Sequence, residues 1–345
     1  FVSAPENVAW LLNIRGHDNP HSPMPHCHLL LNKNKEIFLI SEKEKVLKLI
    51  KEKKIFKNQI VNPRELINFF DKIKKSKFII DNKTCSIFYR NSLIKKHKIL
   101  EKNDPIYAYK AIKNKIEINN IIKSHVDDGV ALTRFLYWIK IENKKKLTEV
   151  DAQNKLEKFR KKNKRYLFPS FNTIAGAGKN GAIIHYRATK KNTKIIDKRD
   201  LFLCDSGGQY QYGTTDVTRT ICFSEPSNSI KNIFTNVLKS HIAVVTSNLK
   251  THYNGKLIDK RARFNLKKIG LDYDHGTGHG VGFFSNVHEG PQAISKFNKI
   301  RLQEGMVLSN EPGYYKKGKL GIRIENLLYV TKNKKRLFFK NLTLA

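Results

Sequence analysis

The chain has 345 residues, 40% of them hydrophobic, enough for one large core or two moderate ones, which excludes a protein disordered over long stretches. Its formal charge of +36 raises nucleic acid or an anionic membrane as partners. The lysines are nevertheless spread along the whole chain among asparagines and isoleucines, so a solvated lysine surface is expected and not a nucleic-acid site, and no run approaches the roughly 18 apolar residues that span a bilayer.

Residues 1 to about 103 read as a small α/β unit. CHLLLN and EIFLI flank the polar NKNK as a hairpin, and Ser41 with Glu44 forms a capping box that predicts a helix through about Lys54. Asn62 followed by Pro63 opens a second helix, after which KFIID and CSIFYR read as strands separated by Asn82 and Lys83. His17, His21, His26 and His28 crowd together, so a metal site is conceivable, but exposed loop histidines are the expected reading. Cys27, Cys85, Cys204 and Cys222 show no CxxC spacing and read as reduced thiols, which suits a cytoplasmic protein. The chain opens on Phe1 without a methionine, which leaves room for a targeting segment upstream.

Past Asn103-Asp104-Pro105 a second unit, 104–345, begins with a long helix, because Ile118, Ile121, Ile122, Val130, Phe135 and Trp138 recur at helical spacing. Thr148 with Asp151 starts another, running to about Asn163. Gly176, Gly178 and Gly181 lack the spacing of a phosphate loop, and His185 falls in an apolar stretch, AIIHYR, that reads as a strand. Helical spacing returns from Ser227 to Lys250 and from Leu257 to Lys268, so helices are expected to pack on hairpins in an α+β layer.

The chemistry concentrates in the last third. A strand ending at Asp205 is followed by Gly207, Gly208 and Gly213 and then by a second strand, and a symmetric hairpin puts Asp205 opposite Asp216, with Cβ atoms about 4.5–5.5 Å apart. Folding SNEPGYYKKGKLGIRIEN about Gly318 puts Glu311 opposite Glu325. Converging carboxylates repel and raise one another's pKa unless a cation is bound. With the single imidazole of His279, set among Gly276, Gly278, Gly280 and Gly282, this donor set suits manganese, cobalt or zinc and argues against a thiolate site. Two such ions about 3.5–4 Å apart can activate a bridging water.

The stretches DSGGQYQYGTTDVTRT, HGTGHGVGFFSNVHEGP, NEPGYY and GIRIEN resemble the motifs of the Xaa-Pro aminopeptidases (aminopeptidase P), pita-bread metallopeptidases, more closely than those of methionine aminopeptidase or prolidase. A weaker resemblance runs through AWLLNIRG, KAIKNKIEINNI and GAIIHYRAT. It implies a creatinase-N-like α/β domain over 1–103 followed by a pita-bread catalytic domain over 104–345, in a chain that begins inside the second of three domains and stops short of the family's usual end. It further implies two divalent ions, manganese first, with Asp205 on one, His279 and Glu311 on the other, and Asp216 and Glu325 bridging. A hydroxide held between the ions would attack the first peptide bond of a peptide with proline second, and Glu311 would carry the proton. His185, His275, His288 and Arg323 take the substrate side, His288 facing the oxyanion, and Asp274 stands where the family more usually has glycine. The longer family members are expected to form homodimers. The readings kept beside this one are an Xaa-Pro dipeptidase, a creatinase-like hydrolase, and a pita-bread module that has lost its metals and binds nucleic acid or protein.

Overall fold

A computed structural model describes residues 1–142 and 146–345, and the chain divides into two compact units, Phe1–Lys110 and Ala111–Ala345. In the first, His28–Leu31 and Ile37–Ile40 pair as the expected antiparallel hairpin, and the short strand Ile60–Val61 adds in parallel. Leu29, Leu30, Leu39 and Ile40 are buried, so both strands lie against apolar layers. The Asn62 side chain accepts the Arg64 N–H with Pro63 in the first position, and the helix Leu66–Lys72 follows.

Two local expectations fail. CSIFYR does not form a strand: the Ser86 hydroxyl accepts the Tyr89 N–H and caps a helix, Ile87–Ile94. The strand Lys77–Ile80 pairs instead in parallel with Lys98–Glu101, and a parallel pair needs a crossover connection, which that helix supplies. Ser41 makes no capping box, because its hydroxyl turns to the Glu42 carbonyl. A 3₁₀ turn, Lys43–Val46, and a short helix, Leu47–Lys51, stand in place of the single helix. The chain then reverses at Lys53, whose φ is 55°. His17 and His26 are exposed, His28 lies in its strand with Nδ1 2.9 Å from the Ser3 carbonyl, and none of the four histidines belongs to a metal-binding group among the described residues. All four cysteines are free, Cys27 and Cys204 buried, and no helix is long and apolar enough to cross a membrane among the described residues.

The second unit opens with the helix Lys115–Glu142, which buries Ile121, Leu132, Phe135 and Ile139 while Val130 stays exposed. The helix Glu149–Arg160 starts with a reciprocal capping box between Thr148 and Asp151. Asn228–Val245 and Gly255–Lys267 follow, capped by Ser227 and by Asn254. Ile174–Ala177, Leu201–Ser206 and Val217–Cys222 make one antiparallel sheet, whose Phe202, Cys204 and Val217 pack against Phe135, Ile139 and Leu156. Gly278–Gly280, Glu289–Ile294, Val307–Asn310, Asn326–Asn333 and Arg336–Asn341 make a second, with Leu308 and Leu328 packed on Ile258 and Ala262. A separate hairpin, Gly313–Lys316 with Leu320–Arg323, continues from the Val307–Asn310 and Asn326–Asn333 pair.

AIIHYR is not a strand. His185 sits in a turn after the 3₁₀ segment Gly178–Ala182. The cause is Glu149, a fully buried carboxylate that accepts from the Ala177 and Lys194 N–H groups, Asn180 Nδ2 and the Tyr186 hydroxyl at 2.7–3.0 Å. Those bonds curl the segment around one acceptor and expose His185.

Candidate metal centre

The two acidic hairpins have different registers. In the first, Asp205 faces Thr218 and Ser206 faces Val217, so Asp216 does not lie opposite Asp205. Tyr210 pairs with Gly213, which places the reversal at Gln211-Tyr212, with Tyr212 at φ 71°. The glycines read as turn residues serve close packing instead: a Cβ on Gly207 would stand 1.9 Å from the Thr215 carbonyl oxygen, and one on Gly208 would meet the Tyr166 and Tyr210 rings at 2.8 Å. In the second hairpin Gly313 faces Arg323 on one side and Asn310 faces Asn326 on the other. That register brings Glu311 opposite Glu325 about Gly318, whose φ is 72°.

His279 reaches the same place from the strand Gly278–Gly280, where Gly278 leaves no room for a Cβ beside the Ser309 carbonyl. Its backbone N–H donates to Ser309 Oγ at 2.9 Å, and that hydroxyl donates to Glu311 Oε1 at 3.0 Å. The Nδ1 of His279 lies 2.9 Å from the Gly280 carbonyl, an acceptor, so Nδ1 carries the hydrogen and Nε2 keeps a lone pair. That Nε2 is 3.4 Å from Asp216 Oδ2 and 3.4 Å from Glu311 Oε1.

A buried guanidinium organises the other side. Arg323 donates from Nη2 to Asp205 Oδ2 at 2.5 Å, from Nε to Thr218 Oγ1 at 3.1 Å and from Nη1 to the Tyr315 hydroxyl at 2.7 Å. Thr218 Oγ1 in turn donates to Glu325 Oε2 at 2.7 Å. The Tyr315 hydroxyl donates its single hydrogen to His275 Nε2, 2.9 Å away, while His275 Nδ1 donates to the Gly276 carbonyl at 2.8 Å. Asp274 is exposed and His275 keeps both bonds, so the departure at that position leaves the imidazole oriented.

The expected metal ligands and substrate-side residues line one cavity of about 470 Å³: Asp205, Asp216, His279, Glu311 and Glu325, together with His185, His275, His288 and Arg323. Burial and then the neighbouring carboxylates push Asp216 and Glu325 well above the usual carboxylate range. Asp205 is raised by burial as well, with Arg323 opposing. Burial lowers the His275 imidazole and, more strongly, lowers His288 to about 4, so both are neutral near pH 7.

Divalent cations fit this site. Asp205 Oδ1 and Asp216 Oδ1 are buried and accept no hydrogen bond, and one ligand atom from each of Asp216, His279 and Glu325 lies within 4.8 Å of the others. Four carboxylates face one guanidinium, and a lone pair on His279 points at two anionic oxygens, an arrangement that repels without a cation between them. The neighbouring Cys204 is no ligand: it lies in the core and its thiol is pushed up to about 12 by burial.

Sequence reasoning gave no role to Tyr315, Thr218 or Ser309, which orient the charged groups. It also missed two supports. Arg160 makes a buried fork to Asp128 at 2.7 and 3.2 Å and reaches Ser206 Oγ, next to Asp205, while Tyr210 donates to Asp128. Arg263 binds Asp259, Asp272 and the carbonyls of Tyr273 and His275, fixing the loop before His279. No short motif joins these partners, whose sequence separations run up to 82 residues.

Metallopeptidase family M24 matches residues 119–332. The chain belongs to that family. This M24 chain also matches the Creatinase/Prolidase N-terminal domain over residues 1–117, so a creatinase-type N-terminal domain precedes a pita-bread domain. It is 38% identical to a probable Xaa-Pro aminopeptidase P of Pyrenophora teres f. teres, over 95% of this chain and 53% of the relative. It is 39% identical to aminopeptidase P2 of Arabidopsis thaliana, over 95% and 51%. The chain thus spans about half the length of the curated relatives it matches. Among solved structures, the X-prolyl aminopeptidase of Caenorhabditis elegans, described as a cytosolic enzyme with a di-nuclear active site, superposes with a TM-score of 0.86 at 30% identity, covering 99% of this chain and 58% of that one. The prolidase of Pyrococcus furiosus superposes with a TM-score of 0.79 at 26% identity, over 99% and 94%.

Proposed function

We propose that this M24 chain hydrolyses the first peptide bond of peptides whose second residue is proline, using two divalent metal ions, manganese by preference. The observation that carries the reading is the convergence of four carboxylates and one imidazole on a single cavity with two buried, unbonded carboxylate oxygens. Asp205 would hold one ion, His279 and Glu311 the other, with Asp216 and Glu325 shared. Ions bound there would lower the pKa of a water toward neutrality and polarise the scissile carbonyl.

The remaining work falls to the protein. Glu311, steadied by Ser309, accepts a proton from the attacking water and passes it to the leaving prolyl nitrogen. His288, neutral and packed edge-on to His279 with ring centroids 4.3 Å apart, donates a hydrogen bond to the developing oxyanion. A prolyl nitrogen has no N–H, so it must be recognised by shape. The His275 ring lines the metal cavity, held between Tyr273 and Tyr315 at centroid distances of 5.0 and 5.4 Å, and is the wall we assign to the proline. His185 and Arg323 complete the substrate side, Arg323 through Tyr315 and Asp205. A cytoplasmic setting is part of the reading and draws on the C. elegans relative's description. A homodimer in longer forms of the protein is also part of it and draws on the family resemblance.

The test pairs elemental analysis with peptide assays. Manganese-loaded protein should release arginine from Arg-Pro-Pro, whereas cleavage of only a Gly-Pro dipeptide would replace this reading by a dipeptidase, and protein that retains no divalent metal would replace it by a binding module.

A further inference from the structure

Beside the metal cavity lies a second one of about 710 Å³, and the two share His275 and Gly276. It is walled by the helix Gly255–Lys267, the loop before His279 and the turn 295–297 that follows the strand Glu289–Ile294. Its size falls within the range of about 300–1,000 Å³ typical of ligand pockets. We propose that this groove binds the part of the substrate that follows the proline, and that it selects acidic residues there. The proposal rests on the peptidase reading above and adds the substrate class.

The geometry runs from the wall to the groove. His275 is the wall assigned to the proline and also lines the groove, so the groove is the surface next to the residue after the proline. An enzyme that removes one residue from the front of a peptide must let the rest of it leave the cavity, and the groove that adjoins it at His275 and Gly276 is the path we assign to it. Its floor is fixed: Arg263 is bound by Asp259 and Asp272 at 2.8 Å each and by two backbone carbonyls. Arg263 together with Lys267, 3.5 Å from Asp272, neutralises two of the groove's three acids, leaving Asp274.

The rim carries the selectivity. Lys256, Lys260 and Lys296 line the groove, are exposed and have no ion-pair partner among the described residues. Three uncompensated ammonium groups against one carboxylate attract an acidic chain and repel a basic one. Phe264 and Phe297, 59% and 79% exposed, stand over the same groove, and Lys296 lies 4.9 Å from the Phe297 ring centre. Exposed rings at a groove edge give an extended peptide apolar surface while the lysines reach its carboxylates.

The test follows arginine release from Arg-Pro-Pro, Arg-Pro-Pro-Gly-Glu-Glu and Arg-Pro-Pro-Gly-Lys-Lys by manganese-loaded protein. The acidic hexapeptide should show a KM roughly three- to tenfold below that of the basic one, as expected for two exposed ion pairs. Lys260→Glu combined with Lys296→Glu should bring the two hexapeptides to parity or invert them while leaving the melting temperature unchanged. The control pair Lys334→Glu and Lys335→Glu, in the exposed turn between the last two strands, changes the net charge equally and should keep the preference. Equal KM values in the unaltered protein, or a control pair that erases the preference as well, would overturn the groove. If no proline peptide is cleaved, the peptidase reading fails on its own. The groove is then judged by fluorescence anisotropy of a labelled Arg-Pro-Pro-Gly-Glu-Glu, whose affinity should fall in the Lys260→Glu/Lys296→Glu protein alone, and an unchanged affinity overturns it.

Discussion

Exchanging Glu325 for glutamine should make the metal-free protein more stable and the metal-loaded protein less so. The Glu325 side chain is buried, and its Oε2 accepts from Thr218, a bond the amide oxygen of glutamine can keep. A ligand oxygen of Glu325 lies within 4.8 Å of one from Asp216, and two unit charges at that distance repel by about 3–4 kcal/mol at an effective dielectric constant of 20. Protonation relieves part of that, so the expected gain is about 1–3 kcal/mol, or roughly 2–10 °C in melting temperature for a unit of this size. The sign with pH follows from linkage. Because the Glu325 carboxyl titrates well above its ordinary range when folded, the folded protein holds a proton the unfolded chain has already released, and stability falls as pH rises through that interval. The glutamine variant lacks this loss, so its advantage should appear at neutral pH and vanish near about pH 4. Calorimetry with a chelator at both pH values reads the effect. Added manganese should reverse the order, since the unaltered protein gains the larger binding contribution. A variant that melts with or below the unaltered protein in chelator at neutral pH, or that retains full activity, would refute the reasoning.

His288→Ala should lower kcat for Arg-Pro-Pro by roughly 10²–10³, the effect of removing one oxyanion donor, with little change in KM in steady-state assays. Arg160→Met strands the buried Asp128 carboxylate and should cost about 3–5 kcal/mol in urea denaturation, part of which adding Asp128→Asn should restore. Lys158→Ala, on the exposed face of its helix, should shift stability by no more than about 0.5 kcal/mol and leave peptide cleavage unchanged.

Much of the site could be read because its partners are near in sequence. The Glu311 and Glu325 pair follows from folding one short stretch about a glycine, and Gly318 indeed takes a left-handed φ that glycine tolerates. The Asp205 hairpin was misread by two positions because its glycines signal tight packing against Thr215 and two tyrosines, while the reversal falls on Tyr212, a residue with no turn signature. CSIFYR and AIIHYR have the aromatic and branched residues of strands. In the first a serine cap prevailed, and in the second a buried glutamate some thirty residues upstream gathered the backbone N–H groups that a strand would have paired. Helix starts at Asn62, Thr148 and Ser227 were legible because a cap is a local hydrogen bond. The Arg160 and Arg263 networks were not, since burial of a charge depends on partners that only the tertiary fold brings near.

Arg323 ties the two acidic hairpins together with a charge that does not titrate in the physiological range. A chelator can strip divalent ions from such a pocket but cannot remove this resident cation, which goes on clasping Asp205 and, through Thr218, Glu325. The emptied scaffold should therefore wait in a shape ready for reloading, and recovery on adding ions should be quick, paced by their arrival and not by refolding.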